Sequence, residues 1–338
     1  IPSPTNRDFT LALPFSLKLK PTIKQLNLDL IHVHSPFLLG RLGARYARKI
    51  DVPLVFTYHT LYEQYVHYVP FAQSGSKDIA HIAQSVSKDL AQKVSRDFCN
   101  QCDMVIAPTR IVADYLREIG VKTDLRIVPT GIKTAKYKNG DSNWLQQHYN
   151  ISPDDRVLLF VGRLGLEKNI PFLLQSFKEV KSNYNNTVLV IVGGGPEEED
   201  LKKLAEDLGL GDSVVFTGTL NPEDVINCYA GSSMFVFSSV SETQGIVIAE
   251  AKAAGLPVVA VRAYGVSEMV EDGVDGFLTD LDPGQFAGRI GVLLKDEQLR
   301  LDMGKKAALN AERLDSVNCT SLLLNCYQSL KRYVANET

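Results

Sequence analysis

The sequence has no run of 18 consecutive apolar residues, which is the length needed for a helix that crosses a membrane. No signal peptide is recognisable either, although the chain begins at Ile1 without a methionine. Five cysteines in 338 residues are too few for a disulfide framework. Cys99 and Cys102 resemble half of a metal site, but no second pair completes it. These absences predict a cytoplasmic protein with reduced thiols.

Motifs for several other chemistries are also missing. The glycine cluster 193–195 is not followed by Lys and Ser or Thr, so it is not a Walker loop. No Gly-x-Gly-x-x-Gly with a ribose-binding acid follows the first apolar strand, which argues against a nicotinamide-dependent dehydrogenase. Asp280-Leu281-Asp282 has the form of a metal-binding Asp-x-Asp, but its position between the strand GFLTD and Pro283 favours a surface loop. We therefore predict no metal ligand.

Charge is unevenly distributed along a chain whose net charge is −3. Residues 1–150 carry a balance of about +7, and the remainder about −10. A basic half suits an anionic membrane surface, a phosphorylated acceptor or nucleic acid. Nucleic acid is disfavoured, because no binding motif or Arg-rich tract accompanies the charge.

Apolar strands alternate with helical patterns throughout the sequence. Such continuous apolar strands are typical of parallel sheets that are covered on both faces. At 338 residues with 45% hydrophobic residues, the chain is long enough for two cores. A polar stretch around 135–150 separates the two groups of strands. The sequence thus predicts an α/β protein with two Rossmann-like domains. The predicted strands are LIHVH, LVFTYH, MVIAPT, LRIVP, VLLFVG, TVLVIVG, SVVFTG, MFVFSS and PVVAV.

Two carboxylates, Glu242 and Glu250, flank a junction between a loop and a helix in SSVSETQGIVIAEAKAAG. The helix is predicted to begin near Gly245 and to end at Gly255, and it is apolar nearly all round. A carboxylate on a buried helix needs hydrogen-bond donors, and the two hydroxyls of a ribose would supply them. Free amides at Gly245 and Ile246 would suit phosphate or sugar oxygens. Alternatively, Glu250 pairs with Lys252 or a distant Arg, and Glu242 caps the helix.

Basic residues and glycines follow the preceding strands. Arg163 and Lys168 lie on the glycine turn after VLLFV, where they would converge on a diphosphate. Gly194 follows the strand TVLVIV and is a candidate for a backbone contact with a nucleotide. The alternative for Arg163 and Lys168 is two solvated surface charges.

The segments around Arg163 and from Glu242 to Glu250 resemble the family-4 retaining glycosyltransferases, whose fold is called GT-B. The resemblance implies that Glu242 contacts the donor sugar and Glu250 the ribose. It implies that Arg163 and Lys168 hold the diphosphate in place of a metal cation. The strand VVFTG, which ends at Gly218, is similar to the family segment that lines the base pocket, so Gly218 is a further candidate for nucleotide contact. Many members have an aromatic residue where this chain has Gln244, so the sugar is not inferred from that position.

The resemblance also implies a domain organisation in which two Rossmann-like domains face a central cleft. The expected limits are 1–140 for the acceptor-side domain and 150–312 for the nucleotide-sugar domain, with the helix 313–338 returning to the first. Members of the family open with a strand and a glycine-rich loop, and neither is recognisable before LALPFSLKLK. We therefore expect the first domain to be truncated at its start.

The acceptor is indicated by HVHSPFLLG and by HTLYEQYVHY, which begins at His59 after the strand LVFTY. Aromatic rings with polar tips suit a surface that meets sugar and lipid. These segments resemble the bacterial and plastid glycosyl-diacylglycerol synthases. That resemblance places His59 beside the donor sugar, near its 6-hydroxyl. Alternatively, His59 is a core histidine bonded to the backbone. His32 and His34 share one strand face, but too few further ligands are found for a metal site.

A predicted amphipathic helix follows, in SKDIAHIAQSVSKDLAQKVSRDF. Its apolar positions, which include Leu90 and Val94, step by three or four, and its polar face carries mixed charge. The helix either contacts a membrane surface or packs on the first sheet.

These features predict a retaining glycosyltransferase that moves a hexose, glucose, from UDP-glucose to a lipid acceptor such as diacylglycerol. Such an enzyme needs no cofactor and lies on the inner face of the cell membrane as a peripheral protein. The first alternative is the same donor chemistry on a soluble sugar, polyol or thiol conjugate. The second is a nicotinamide-dependent dehydrogenase or a non-catalytic nucleotide-binding protein. The oligomeric state is not predicted.

Overall fold

The computed structural model describes residues 19–62 and 77–336, with side chains from 21–62 and 88–330. The aromatic stretch 63–68, singled out above, lies outside the described residues. The chain divides into two compact units, Ile1–Pro129 with Ser321–Thr338, and Thr130–Thr320. The domain limits expected from the sequence stay a prediction.

The first unit is built on a parallel sheet of four strands in the order β1-β2-β3-β4. Its core contains Val55, Met104 and Ile106, and the C-terminal helix packs against them through Leu323 and Cys326. The strands are β1 Ile31–Val33, β2 Leu54–Thr57, β3 Met104–Ala107 and β4 Asp124–Ile127. The helices are α1 Leu19–Gln25, α2 Leu38–Ile50, α3 Lys77–Cys99, α4 Arg110–Glu118 and, from Ser321 onward, α13 Ser316–Asn336.

Helix α3 is the amphipathic helix that the sequence predicts, but its buried face differs from the expected apolar face. Its C-terminal end is packed, since Phe98 is buried and its ring centroid lies 5.1 Å from that of Phe56. Leu90, expected on the apolar face, is 59% exposed. The side chains of residues 77–87 are outside the described residues. The choice between a packed helix and a membrane-surface helix therefore stays open.

The second unit contains a parallel sheet of six strands in the order β10-β9-β8-β5-β6-β7. Short 3-10 turns cover 134–138, 166–168, 211–213 and 312–314. The strands are β5 Arg156–Val161, β6 Thr187–Val192, β7 Val214–Gly218, β8 Met234–Phe237, β9 Val258–Val261 and β10 Gly276–Thr279. The helices are α5 Trp144–His148, α6 Ile170–Asn183, α7 Glu198–Asp207, α8 Pro222–Ala230, α9 Ile246–Ala253, α10 Val266–Met269, α11 Pro283–Lys295 and α12 Glu297–Ala311.

The central strands of this sheet are buried along their whole length. All six residues of β6 are buried, as are five of the six in β5, because helices cover both faces of a doubly wound sheet. The strand order reverses at β5, which has β6 on one side and β8 on the other. The α/β class with two parallel sheets, predicted from the sequence, is confirmed. In such sheets, ligands bind at the carboxyl ends of the strands where the order reverses.

A buried ion pair fixes helix α9 to the rest of the second unit. Lys252, 5% exposed, donates to Asp275 Oδ2 at 2.6 Å and to the Met269 carbonyl at 2.8 Å. Asp275 also accepts from Asn310 Nδ2 at 2.7 Å and from the Glu271 amide at 2.9 Å. The pair thus joins α9 to α10, α12 and the turn before β10.

Among residues 19–62 and 77–336, no helix is both long and apolar enough to cross a membrane.

Replacing Lys252 by Ala leaves the Asp275 carboxylate buried without its cation. We expect the variant to lose about 3 to 5 kcal/mol of unfolding free energy. Urea denaturation followed by circular dichroism measures this loss.

The matched control is Lys305→Ala, because Lys305 pairs with Asp302 at 3.1 Å with 73% of its side chain exposed. This control should change the unfolding free energy by no more than about 0.5 kcal/mol. Equal, small losses in both variants would contradict the role assigned to Lys252.

Candidate functional site

The connections after β5 and β8 lie side by side at the point where the strand order reverses. Hydrogen bonds to backbone carbonyls join them directly. Ser238 Oγ donates to the Lys168 carbonyl at 2.8 Å, and the Val240 amide donates to the Glu167 carbonyl at 3.3 Å. The backbone thereby holds the two segments on which most of the predicted site residues lie.

Lys168 and Glu242 form an ion pair across these two connections. Their side chains are only 14% and 18% exposed, so water screens the pair weakly. Glu242 Oε1 also accepts from Ser239 Oγ at 3.1 Å, and Lys168 Nζ lies 6.0 Å from the centroid of the Phe237 ring. Lys168 is therefore not a solvated surface charge. Glu242 does not cap α9, because Gly245 occupies the N-cap position.

Arg163 lies half-buried on the turn after β5, where glycine backbones meet closely. A Cβ on Gly193 would lie 1.9 Å from the Gly162 carbonyl oxygen, and Gly193 has φ +133°. The Gly193 amide donates to the Gly218 carbonyl at 2.9 Å, and the Leu164 amide donates to the Gly194 carbonyl at 3.0 Å. The predicted glycines thus bring the ends of β5, β6 and β7 together beside Arg163.

The start of α9 matches the predicted position. Gly245 precedes the helix with φ 83° and ψ 63°, a conformation that glycine adopts without strain. The next residue, Ile246, is 39% exposed. Gln244 is buried and bonds through both ends of its amide to the backbone of Thr130, at 2.9 and 3.1 Å. The Gln244 side chain therefore binds the first residue of the second unit.

Glu250 lies on α9 among hydroxyl donors that the sequence reasoning missed. Tyr229, fully buried, donates its hydroxyl to Glu250 Oε2 at 2.9 Å, and Tyr137 makes a second hydrogen bond to the same carboxylate. Burial raises the pKa of Glu250, and the two phenols oppose that rise. The alternative pairing with Lys252 is wrong, because Lys252 binds Asp275.

No local signal in the sequence points to either tyrosine. Tyr137 lies on a 3-10 turn, and Tyr229 lies on α8, far from Glu250 along the chain. Their rings meet edge to face with centroids 5.7 Å apart. Only the requirement that a partly buried carboxylate has donors could have suggested that such residues exist.

His59 belongs to the first unit, where it joins two further histidines. It is exposed, and its Nε2 lies 3.0 Å from His34 Nδ1, so it is not a core histidine bonded only to backbone. The His34 ring lies 4.3 Å from the ring of His32, between centroids. Desolvation and the neighbouring His34 lower the pKa of His59.

The structure gives other surroundings to the two segments that had the form of metal-binding motifs. Asp282 caps α11, since its Oδ1 accepts from the Gln285 amide at 2.7 Å. Cys99 and Cys102 are buried thiols, and burial raises the pKa of both. Among the described residues, no group of three or more His, Cys, Asp or Glu has a metal-binding arrangement.

The structure therefore collects most predicted donor-site residues at one edge of the second sheet. Arg163, Lys168, Glu242, Gln244 and Gly245 follow β5 and β8, and the remaining members lie nearby in the same unit. The remaining members are Gly194 and Gly218, after β6 and at the end of β7, and Ile246 and Glu250 on α9. His59 lies in the other unit and is described with it.

Two protein families match the chain. The family described as "Glycosyltransferase Family 4" matches residues 1–136, and "Glycosyl transferases group 1" matches residues 142–309. These matches correspond to the strands of the two sheets and include the residues at the strand ends.

Relatives of this chain include alpha-monoglucosyldiacylglycerol synthases and a D-inositol 3-phosphate glycosyltransferase. An alpha-monoglucosyldiacylglycerol synthase of Streptococcus pneumoniae is 35% identical over 75% of this chain and 56% of its own length. One of Acholeplasma laidlawii is 31% identical over 82% of this chain and 69% of its own. A D-inositol 3-phosphate glycosyltransferase of Acidothermus cellulolyticus is 32% identical over 89% of this chain and 67% of its own. The chain thus spans between about half and two thirds of these relatives.

Solved structures share the fold. Anabaena Alr3699/HepE in complex with UDP has a TM-score of 0.76 and 23% identity, covering 92% of this chain and 81% of that one. The chain therefore belongs to the family-4 glycosyltransferases and has the GT-B fold.

Proposed function

We propose that this chain is a retaining glycosyltransferase that moves glucose from UDP-glucose to a lipid acceptor such as diacylglycerol. The observation that carries the proposal is the Lys168–Glu242 pair at the point where the strand order of the second sheet reverses. This is the edge at which doubly wound sheets bind nucleotides. The UDP complex of a protein with the same fold supports the choice of nucleotide.

Lys168 would bind the diphosphate without releasing Glu242. A lysine ammonium has three donors, and one of them is directed to Glu242 Oε1. Phosphate oxygens would accept hydrogen bonds from the same ammonium group. Arg163, on the same connection, would add a planar fork of donors, and the amides at the start of α9 would add the positive end of the helix dipole. These groups stabilise negative charge on the leaving diphosphate without a metal ion.

The two glutamates would bind the two ends of the donor. Tyr229 and Tyr137 hold Glu250 as an acceptor for the ribose hydroxyls. Glu242, fixed by Lys168 and Ser239, would accept from hydroxyls of the sugar. His59 would lie near the 6-hydroxyl of the sugar. Gly194, Gly218, Gly245 and Ile246 would contribute backbone contacts.

The proposed transfer retains the configuration of the anomeric carbon. The bond between the anomeric carbon and the diphosphate oxygen breaks, and the acceptor hydroxyl forms its bond on the same face of the sugar. The acceptor proton passes to the departing diphosphate oxygen. Glu242 positions the sugar and is not the nucleophile.

The lipid acceptor is supported by the two relatives named alpha-monoglucosyldiacylglycerol synthase. The charge of about +7 on residues 1–150 suits an anionic membrane, and we propose a peripheral location on its cytoplasmic face. A soluble acceptor is the second candidate, favoured by the relative named for inositol 3-phosphate. The glycosyltransferase family and the absent dinucleotide fingerprint argue against a dehydrogenase.

Release of UDP from UDP-glucose, with and without diacylglycerol in anionic liposomes, tests the function. We expect lipid to stimulate release, and we expect Lys168→Ala and Glu250→Ala each to reduce the stimulated rate by about 100-fold or more. Both variants remove groups proposed to bind the donor.

Controls for this assay are Lys305→Ala and Glu297→Ala, which remove exposed charges of the same kinds. Full activity in the Lys168 and Glu250 variants would sink the donor-site assignment. If the parent protein is inactive with lipid but is still stabilised by UDP, the lipid acceptor is wrong and a soluble acceptor takes its place.

The affinity for UDP should fall as the pH falls. The pKa of Glu250 is already raised, so its carboxylate is lost at a higher pH than for an ordinary glutamate. Binding of ribose hydroxyls favours the charged form. Isothermal titration calorimetry between about pH 7 and pH 5 should show a steeper loss in the parent than in Glu250→Gln. Parallel curves would contradict the assignment of Glu250 to the ribose.

Removing the hydroxyl of Tyr229 should weaken UDP binding while preserving the aromatic packing. Loss of one hydrogen bond to a charged group predicts an affinity about 3-fold to 10-fold lower in Tyr229→Phe. Tyr184→Phe is the control, because Tyr184 donates to the Gly291 carbonyl at 3.2 Å, remote from the site. The assignment fails if both variants bind UDP as the parent does.

A further inference from the structure

The C-terminal helix brings a tyrosine to the histidine cluster of the first unit. Tyr327, on α13, has its hydroxyl oxygen 2.5 Å from His32 Nδ1. The two rings meet edge to face, with centroids 5.7 Å apart. Residues 295 positions apart in the chain are thereby joined by a side-chain hydrogen bond.

Both ring nitrogens of His32 have hydroxyl partners. Tyr327 contacts Nδ1, and Thr57 Oγ1 lies 2.7 Å from Nε2. A neutral imidazole has one donor and one acceptor, and a hydroxyl serves either role. Burial, with His34 and His59 nearby, lowers the pKa of His32 to about 4, so the ring is neutral near pH 7. Two hydrogen bonds therefore fix the orientation of this neutral ring.

The fixed ring of His32 contacts His34, and His34 in turn contacts His59. The ring of His34 lies against that of His32, with centroids 4.3 Å apart. His34 Nδ1 then shares a hydrogen bond of 3.0 Å with His59 Nε2, and the two rings stack at 5.2 Å. One of these two nitrogens must carry the proton, so the tautomer of His59 is linked to that of His34.

The position of Tyr327 is set by packing that does not involve its hydroxyl. Its neighbours Leu323, Cys326 and Leu330 on α13 pack with it against the buried residues of β2 and β3. A phenylalanine would satisfy that packing equally well. What the hydroxyl adds is its contact with His32.

We propose that Tyr327 is a positioning residue for the donor sugar, and that it acts on His59 through His32 and His34. The proposal rests on the role of His59 at the sugar in the proposed function. It makes the C-terminal helix part of the sugar-binding machinery. The nucleotide is bound by groups of the second unit, so this helix should influence the sugar and not the UDP.

The test compares the affinities of Tyr327→Phe for UDP-glucose and for UDP, measured by isothermal titration calorimetry. We expect the affinity for UDP-glucose to fall about 3-fold to 10-fold, as for the loss of one hydrogen bond, and the affinity for UDP to stay unchanged. Cys326→Ala is the control, because Cys326 lies next to Tyr327 and packs on the same core. It should change neither affinity.

A second readout follows the rings themselves. In protein labelled with 15N in histidine, Tyr327→Phe should shift the ring resonances of His32, His34 and His59, and Cys326→Ala should not. Unmoved resonances of His34 and His59, or equal losses for UDP and UDP-glucose, would overturn the proposal. If the parent binds neither ligand, the proposed function fails, and the resonances alone decide whether Tyr327 controls His59.

Discussion

The second unit depends on how helix α9 carries charge into an apolar setting. The helix is buried through Ile248, Ala249 and Ala251, yet it also bears Glu250 and Lys252. An unpaired charge there would cost several kcal/mol, so each must have its own partners. Lys252 binds Asp275 and fixes the helix, whereas the described part of the chain gives Glu250 the phenols of Tyr229 and Tyr137. The difference separates a charge with a structural role, Lys252, from the charge that the proposed function assigns to the ribose, Glu250.

Groups with a structural role and groups proposed to bind a ligand also lie together at the edge where the strand order reverses. The Ser238 hydroxyl and the Val240 amide donate to backbone carbonyls and fix the two connections, and the Lys168–Glu242 pair bridges them. A pair that is mostly buried is held in a defined geometry before any ligand arrives. In the proposed function, the diphosphate would meet donors that are already oriented, which is the arrangement that stabilises charge developing during a reaction.

Most of the fold was predictable because its strands are continuous apolar segments. TVLVIV became β6 with every residue buried, and the helix predicted from Gly245 begins at Ile246. The individual partners were not predictable. Tyr137 and Tyr229 reach Glu250 from distant segments, and Tyr327 reaches His32 from the C-terminal helix, so only folding brings them together. Leu90 was predicted to lie on the apolar face of α3 but is exposed, because helical spacing alone does not determine which positions are buried.

A crystal structure of the chain with UDP tests the central claim most directly. The account predicts diphosphate oxygens within hydrogen-bond distance of Lys168 and Arg163, with Lys168 still bonded to Glu242. It also predicts both ribose hydroxyls on Glu250, and Tyr229 still donating to the same carboxylate. UDP bound away from the reversal of the strand order, or a ribose that does not contact Glu250, would contradict it.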